Sequence, residues 1–247
     1  METGKTIPIV CVCEKRARLE RTSDGRTLRC SDSDCIHSNK GHHFVIHNEI
    51  PVIISNVLCD TVCGLHAGST YVDRPMTKFG KFRKVIQGEN KVTKENINTF
   101  VSALFANVQR PRVLVIGSGE RGSGTDELWN NGSLEIHGVD IYSSDSVDVV
   151  CDAHYLPFKE SEFDGVWIQA VLEHVVEPKK VVDEIYRVLK KNGIVYAETP
   201  FMQQVHEGAY DFTRFTVLGH RYLFKNFSSI LIGANKGTEI VRSEERF

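Results

Sequence analysis

Val113-Leu114-Val115-Ile116-Gly117-Ser118-Gly119-Glu120-Arg121-Gly122-Ser123-Gly124 decides how this chain is read. An apolar run of strand character passes directly into a glycine-rich turn. Gly117 and Gly119 permit positive φ and let the backbone come close to a ligand. A strand before such a turn and a helix after it aim backbone N–H groups at that ligand. A second apolar run, His137-Gly138-Val139-Asp140, then ends in an acid. A carboxylate at that place suits a ribose, because it accepts hydrogen bonds from both hydroxyls. The pattern describes a cradle for a nucleoside-containing cofactor.

At this point two ligand classes stay open. Gly117-x-Gly119-x-x-Gly122, with Asp140 about 20 residues on, meets the dinucleotide fingerprint of a nicotinamide oxidoreductase. A tight strand-to-helix turn with no ligand is the plainer reading. The downstream segments separate them. Cys151-Asp152-Ala153, Leu156-Pro157-Phe158, Phe163-Asp164-Gly165-Val166, Leu172-Glu173-His174-Val175 and Arg187-Val188-Leu189 follow in order. With the glycine turn, this set resembles a class I S-adenosylmethionine-dependent methyltransferase of the small type 11 kind, over roughly 110–225.

That resemblance implies a Rossmann-like, doubly wound, mostly parallel α/β sheet. It implies S-adenosylmethionine as cofactor, held by Gly117, Ser118, Gly119, Gly122, Asp140, Ile141, Asp152, Ala153 and Gln169, with Asp152 reading the adenine amino group. Two positions depart from the family pattern. An acid often stands two residues before the first glycine, where this chain has Val115. A third glycine commonly stands where this chain has Arg121.

The flanking periodicity supports the α/β reading. Pro178 to Leu189 has an apolar stripe at helical spacing (Val181, Val182, Ile185, Val188, Leu189), with Pro178 in its first turn and Asn192-Gly193 as its stop. Gly193 to Pro200 reads as a fifth strand. Ile97, Phe100, Val101, Leu104 and Phe105 predict a helix over about 96–108. The boundaries expected are 1–57 for a small N-terminal unit, 58–92 for a linker and 93–247 for the methyltransferase domain.

Composition bounds the rest. The 247 residues suffice for one α/β domain with a small appendage. A 41% hydrophobic and 25% charged composition is that of an ordinary globular chain. A formal net charge of −2 makes no case for broad nucleic-acid binding. No apolar run reaches the roughly 18 residues of a membrane span. The N-terminus lacks signal-peptide character, so the expectation is cytoplasmic. Seven cysteines without a secretion signal point to free thiols or metal rather than disulfides.

Four of those cysteines, Cys11, Cys13, Cys30 and Cys35, fall close to the N-terminus. Two close pairs can complete a tetrahedral thiolate zinc site. Lys15 to Thr27 between them reads as a hairpin turning at Ser23-Asp24-Gly25. With Asn48 to Ile54, the segment resembles the small zinc ribbons fused to, or partnering with, methyltransferases. A ribbon that has lost its metal, its thiols buried as small hydrophobes, is the alternative. His42 and His43 are spare ligand candidates. Cys59, Cys63 and Cys151 read as structural.

The acceptor side is expected after the fifth strand, in Pro200 to Thr216. His206, Glu207, Tyr210, Asp211 and Arg214 cluster there. The run resembles one in methyltransferases of glycan and polysaccharide modification. It implies His206 and Asp211 as proton-handling groups, with His174 a further candidate base. Tyr210 and Arg214 would hold a hydroxyl-bearing or anionic small molecule or glycan. An Asp211–Arg214 pair that only fixes the loop is the plainer alternative. After Phe227 little chain remains for the two closing strands of the family sheet. The expectation is therefore a shortened sheet with an unpaired edge that invites a homodimer. Beside the methyltransferase stand two other functions: a nicotinamide oxidoreductase, and a non-catalytic binding module.

Overall fold

The computed structural model describes residues 8–39, 41, 43–55, 91–106, 108–119, 121–122, 124–202, 210–235 and 238–243. Eleven strands form one sheet: β1 (Leu19–Arg21), β2 (Thr27–Cys30), β3 (Phe44–His47), β4 (Ile50–Ile53), β5 (Arg112–Ile116), β6 (Glu135–Asp140), β7 (Val149–Cys151), β8 (Phe163–Gln169), β9 (Leu189–Glu198), β10 (Ile232–Asn235) and β11 (Thr238–Ser243). Their spatial order is β1-β2-β3-β4-β7-β6-β5-β8-β9-β11-β10. The pairings from β4 through β9 are parallel. Those at both ends are antiparallel. The helices are α1 (Ile36–Asn39), α2 (Lys91–Phe105), α3 (Asp126–Trp129), α4 (Pro178–Val188) and α5 (Val217–Leu223).

The central strands are buried on both faces, and side-chain alternation sorts them between two cores. Leu114, Ile116, Val166, Ile168, Val195 and Ala197 face α4, whose Val181, Val182, Ile185 and Val188 form the buried stripe. Val113, Val115, Trp167 and Tyr196 face α2, which contributes Ile97, Phe100 and Leu104. This is the doubly wound α/β architecture expected.

Three local expectations change. Helix α4 ends at Val188, four residues before Asn192, because Leu189 is already extended and pairs with Phe163. Asn192 takes its left-handed φ of 64° within the irregular start of β9 instead. Helix α2 begins earlier than expected, at Lys91, and ends at Phe105. The sheet is also not cut short. Strands β10 and β11 pair antiparallel, and β11 also pairs with β9. Strand β11 thus covers β9, and β10 becomes the edge strand at this end of the sheet.

The N-terminal segment does not stand apart from this sheet. The hairpin expected over Lys15 to Thr27 forms three or four residues later, over Leu19–Cys30, with Gly25 at φ 69° in its turn as expected. Then β4 lies parallel to β7, Ile53 opposite Cys151. Around that seam Glu184 of α4 accepts from Arg16 Nη2 at 3.0 Å and from Arg187 Nε at 2.6 Å. Arg16 also donates to the Leu156 carbonyl at 2.7 Å, and Val10 N–H to the Pro157 carbonyl at 2.9 Å. The Leu156-Pro157-Phe158 turn is thus gripped from both sides. Residues 58–90 of the expected linker, with Cys59 and Cys63, lie outside the described residues, as do His42, His206 and Glu207.

Candidate functional site

The parallel register of β5 with β6 and β8 brings the carboxyl ends of these strands side by side. That is where an open α/β sheet forms its crevice. The glycine turn crosses it, anchored by Gly117 and Ser118 N–H groups that both donate to the Val139 carbonyl, at 2.9 and 3.1 Å. Gly117 has φ 80°, and a Cβ there would lie 2.2 Å from Val171 Cγ2. A Cβ on Gly119 would lie 2.8 Å from Asp140 Oδ2. A side chain at either position would force Val171 or Asp140 to move.

Asp140 is held from two sides. Oδ2 accepts from Gly119 N–H at 2.8 Å and Oδ1 from Tyr142 N–H at 3.1 Å. Each carboxylate oxygen has a second lone pair, so ribose hydroxyls can still be accepted. Ile141 follows directly on the same turn. Across the crevice, Asp152 caps a short 3-10 turn at Ala153–Tyr155. Its Oδ1 accepts from His154 N–H at 2.9 Å and lies 2.6 Å from His154 Nδ1. His154 Nε2 accepts from Glu177 N–H at 3.2 Å, which places the ring proton on Nδ1. Gln169 ends β8; its Nε2 donates to Glu198 Oε2 at 3.1 Å, where the Tyr196 hydroxyl also donates at 2.7 Å. Of the residues expected around a cofactor, Gly119 is thus bonded to Asp140, and Gly117, Ser118, Gly122 and Gln169 share one cavity wall.

On the acceptor side, the chain from Tyr210 to Arg214 is tied to the segment after β8. Phe212 and Thr213 N–H groups donate to the Glu173 carbonyl at 2.8 and 3.2 Å. His174 Nδ1 donates to the Tyr210 carbonyl at 2.6 Å. Asp211 and Arg214 form a two-pronged ion pair, the second contact being 2.6 Å. The Asp211 side chain is only 2% exposed. Tyr210 and Phe212 remain exposed beside this pair.

Sequence reasoning passed over one residue here. Glu173 is fully buried, and neither carboxylate oxygen has a hydrogen-bond partner. His174 Nε2 lies 3.7 Å away, beyond hydrogen-bond reach. Burial pushes the Glu173 carboxyl up to about 7, with Arg214 too weak an offset. Nothing in the local sequence signals this, because the burial comes from a distant segment closing over it.

The four N-terminal cysteines meet. All four Sγ atoms lie within 4.8 Å of one another, with Cys11–Cys35 at 3.7 Å and Cys13–Cys30 at 4.0 Å. A tetrahedron with metal–sulfur bonds of about 2.3 Å has edges of about 3.8 Å, so the donor set fits one four-coordinate ion. Burial raises the Cys11 thiol and brings Cys30 up to about 11. At Cys35 burial is outweighed by the Ser38 and His37 backbone N–H groups, and the thiol is lowered. His43 is not part of the cluster among the described residues.

The glycine turn, Asp140 and Asp152 all lie in or beside one recognisable segment. Residues 114–197 match the "Methyltransferase domain" family. The likeness is to a methyltransferase domain, over about a third of this chain. A demethylmenaquinone methyltransferase of Clavibacter sepedonicus is 42% identical over 84 residues, 32% of this chain and 34% of the relative. The chain thus spans about a third of the length of that curated relative. Two solved structures are similar at 17% identity. One belongs to a complex of the Haloferax volcanii Trm112 methyltransferase activator with a methyltransferase, covering 64% of this chain and 94% of that one at TM-score 0.48. The other is the 1,6-didemethyltoxoflavin-N1-methyltransferase of Burkholderia thailandensis, covering 68% and 83% at TM-score 0.49. Among the described residues no helix is long and apolar enough to cross a membrane.

Burying Glu173 costs the fold stability in a pH-dependent way. Unfolded, this carboxyl titrates near 4.5; folded, near 7. Between those values the folded state keeps a proton that the unfolded state has lost, so rising pH removes stability. Below pH 4.5 the penalty is absent, and above pH 7 it is complete, at about 3 kcal/mol. Denaturant unfolding of wild type and Glu173→Gln at pH 5 and pH 8 should show the variant gaining relative stability with pH, by up to that amount. A pH-independent difference would contradict the assignment.

Proposed function

We propose that the chain transfers a methyl group from S-adenosylmethionine to a hydroxyl or similar nucleophile of a small molecule or glycan. The observation that carries this is Asp140, locked by Gly119 N–H at the mouth of the glycine turn, with Asp152 and Ala153 across the same crevice. Asp140 would hold the ribose, the Gly117–Gly119 backbone would lie against the cofactor, and Asp152 would face the adenine. When bound, the cofactor supplies a methyl group on a sulfonium, whose leaving group needs no proton.

What the chain must do is align the nucleophile, exclude water and take the acceptor's proton. In-line positioning contributes several kcal/mol to such a step. His206, which lies outside the described residues, is the residue proposed to take the proton, on the strength of its sequence position soon after β9. The exposed faces of Tyr210 and Phe212 suit the stacking of a sugar or small ring, beside Arg214, which Asp211 orients. His174 serves the same wall by pinning the Tyr210 carbonyl. The nicotinamide reading shares Asp140 but has no use for Asp152 and the following turn. A non-catalytic module would bind partners without cofactor.

Parallel calorimetric titrations of the full chain with S-adenosylhomocysteine and NAD decide between these. Binding of the first and not the second is expected. Asp140→Ala should weaken it by about 1.5–3 kcal/mol, the worth of hydrogen bonds to a charged group. Tight NAD binding without a response to S-adenosylhomocysteine would overturn the assignment.

We also propose that Cys11, Cys13, Cys30 and Cys35 hold one structural zinc ion. A closed four-thiolate site leaves no position for water and so no catalytic role for the metal. Protein purified without chelators should contain about one zinc per chain by elemental analysis. Metal-free protein whose four thiols react freely while the fold persists would count against it.

A further inference from the structure

The N-terminal segment grips one short stretch of the crevice wall at both ends. Before Asp152, Cys151 lies opposite Ile53 in the parallel pairing of β7 with β4. After it, the Pro157 carbonyl accepts from Val10 N–H at 2.9 Å and the Leu156 carbonyl from Arg16 Nη1 at 2.7 Å. Arg16 is itself fixed by the loop that carries the first cysteine pair. Its N–H donates to the Cys13 carbonyl at 3.0 Å, and Cys11 N–H donates to the Ala17 carbonyl at 2.8 Å. Arg16 has a φ of 47°, a left-handed conformation that a residue with a Cβ keeps only where its surroundings impose it. From there Nη2 reaches both Glu184 oxygens, at 3.0 and 3.1 Å. Glu184 Oε2 in turn accepts from Leu156 N–H at 2.8 Å. The Arg16 and Glu184 side chains are only 21% and 11% exposed, so water competes weakly for these bonds.

One arginine thus has its backbone in the cysteine loop and its guanidinium on the wall that carries Asp152. An ion shared by the four thiolates ties Cys11 and Cys13 to Cys30 and Cys35, and so fixes the loop from which Arg16 projects. Without that tie the left-handed residue can relax, and the Leu156 turn loosens with it. We propose that Arg16 couples the two sites: an ion on Cys11, Cys13, Cys30 and Cys35 raises the affinity of the crevice for the S-adenosyl cofactor by holding residues 152–156 in place. The proposal rests on the cofactor and zinc assignments above. Arg16 acts through Leu156 and Glu184 and is a positioning residue. A site whose competent conformation is only partly populated binds more weakly by that fraction, and a first ligand that fills the population removes the loss. By linkage the effect is reciprocal, so bound cofactor must tighten the metal by the same factor.

The test measures zinc affinity of the full chain by equilibrium competition with the chelator 4-(2-pyridylazo)resorcinol, with and without saturating S-adenosylhomocysteine. Wild type, Arg16→Ala and Arg16→Lys are compared. In the wild type, S-adenosylhomocysteine should tighten zinc roughly tenfold, within the usual span of coupling between sites. In Arg16→Ala zinc and S-adenosylhomocysteine should each still bind, but neither should alter the affinity of the other. Arg16→Lys should recover part of the coupling, because it keeps the charge without the fork. A wild-type zinc affinity indifferent to bound S-adenosylhomocysteine overturns the proposal. So does equal tightening in Arg16→Ala, which would show that the sites communicate through the stability of the whole fold. If Arg16→Ala does not fold, Arg16→Lys decides, and coupling as strong as in the wild type overturns the proposal. Wild type that binds zinc but no S-adenosylhomocysteine overturns the cofactor assignment as well, and wild type that binds S-adenosylhomocysteine but no zinc overturns the metal assignment as well.

Discussion

The hydrogen bond from Gly119 N–H to Asp140 is the constraint on which the crevice depends. It joins the turn after β5 to the end of β6, at a place where any side chain on residue 119 would collide with the carboxylate. Because β5 also pairs in register with β8, fixing this turn fixes three strand ends together. The bond is charge-assisted, and such bonds are shorter and stronger than neutral ones. It also orients the carboxylate before any ligand arrives, which lowers the ordering cost of binding.

A second constraint acts at the other side of the crevice. The Leu156 turn, which follows Asp152 directly, has its backbone bonded by Arg16, Glu184 and Arg187. The three side chains are largely buried, so breaking one partner leaves uncompensated charge. Since Arg16 follows the Cys11-Val12-Cys13 segment, the thiolate cluster and the wall carrying Asp152 share one support. Cys11, Cys13, Cys30 and Cys35 even belong to the same apolar cluster as Leu156, Phe158 and Ile185.

Much of this was legible in the residues. The continuous apolar run Val113 to Ile116 and the stripe of Val181, Val182, Ile185 and Val188 encode strand and helix locally. The cysteine pairs announce their own convergence by spacing. What sequence could not supply is pairing between segments far apart. Nothing in Ile50 to Ile53 says that it docks beside Val149 to Cys151, and nothing in the C-terminal residues says that they fold back onto β9. The same gap hides Glu173, whose state is set by burial, whereas the Asp211–Arg214 pair forms as the plainer alternative had it. Asn192-Gly193 misled about the end of α4 because a left-handed residue serves a strand irregularity as well as a helix cap.

Amide hydrogen exchange of the full chain, with and without saturating S-adenosylhomocysteine, tests the central claim most directly. The account predicts slowed exchange at three separate places together: the 117–122 turn, 140–142 and 152–155. Slowing confined to residues outside the crevice, or none at these three under saturating ligand, would contradict it.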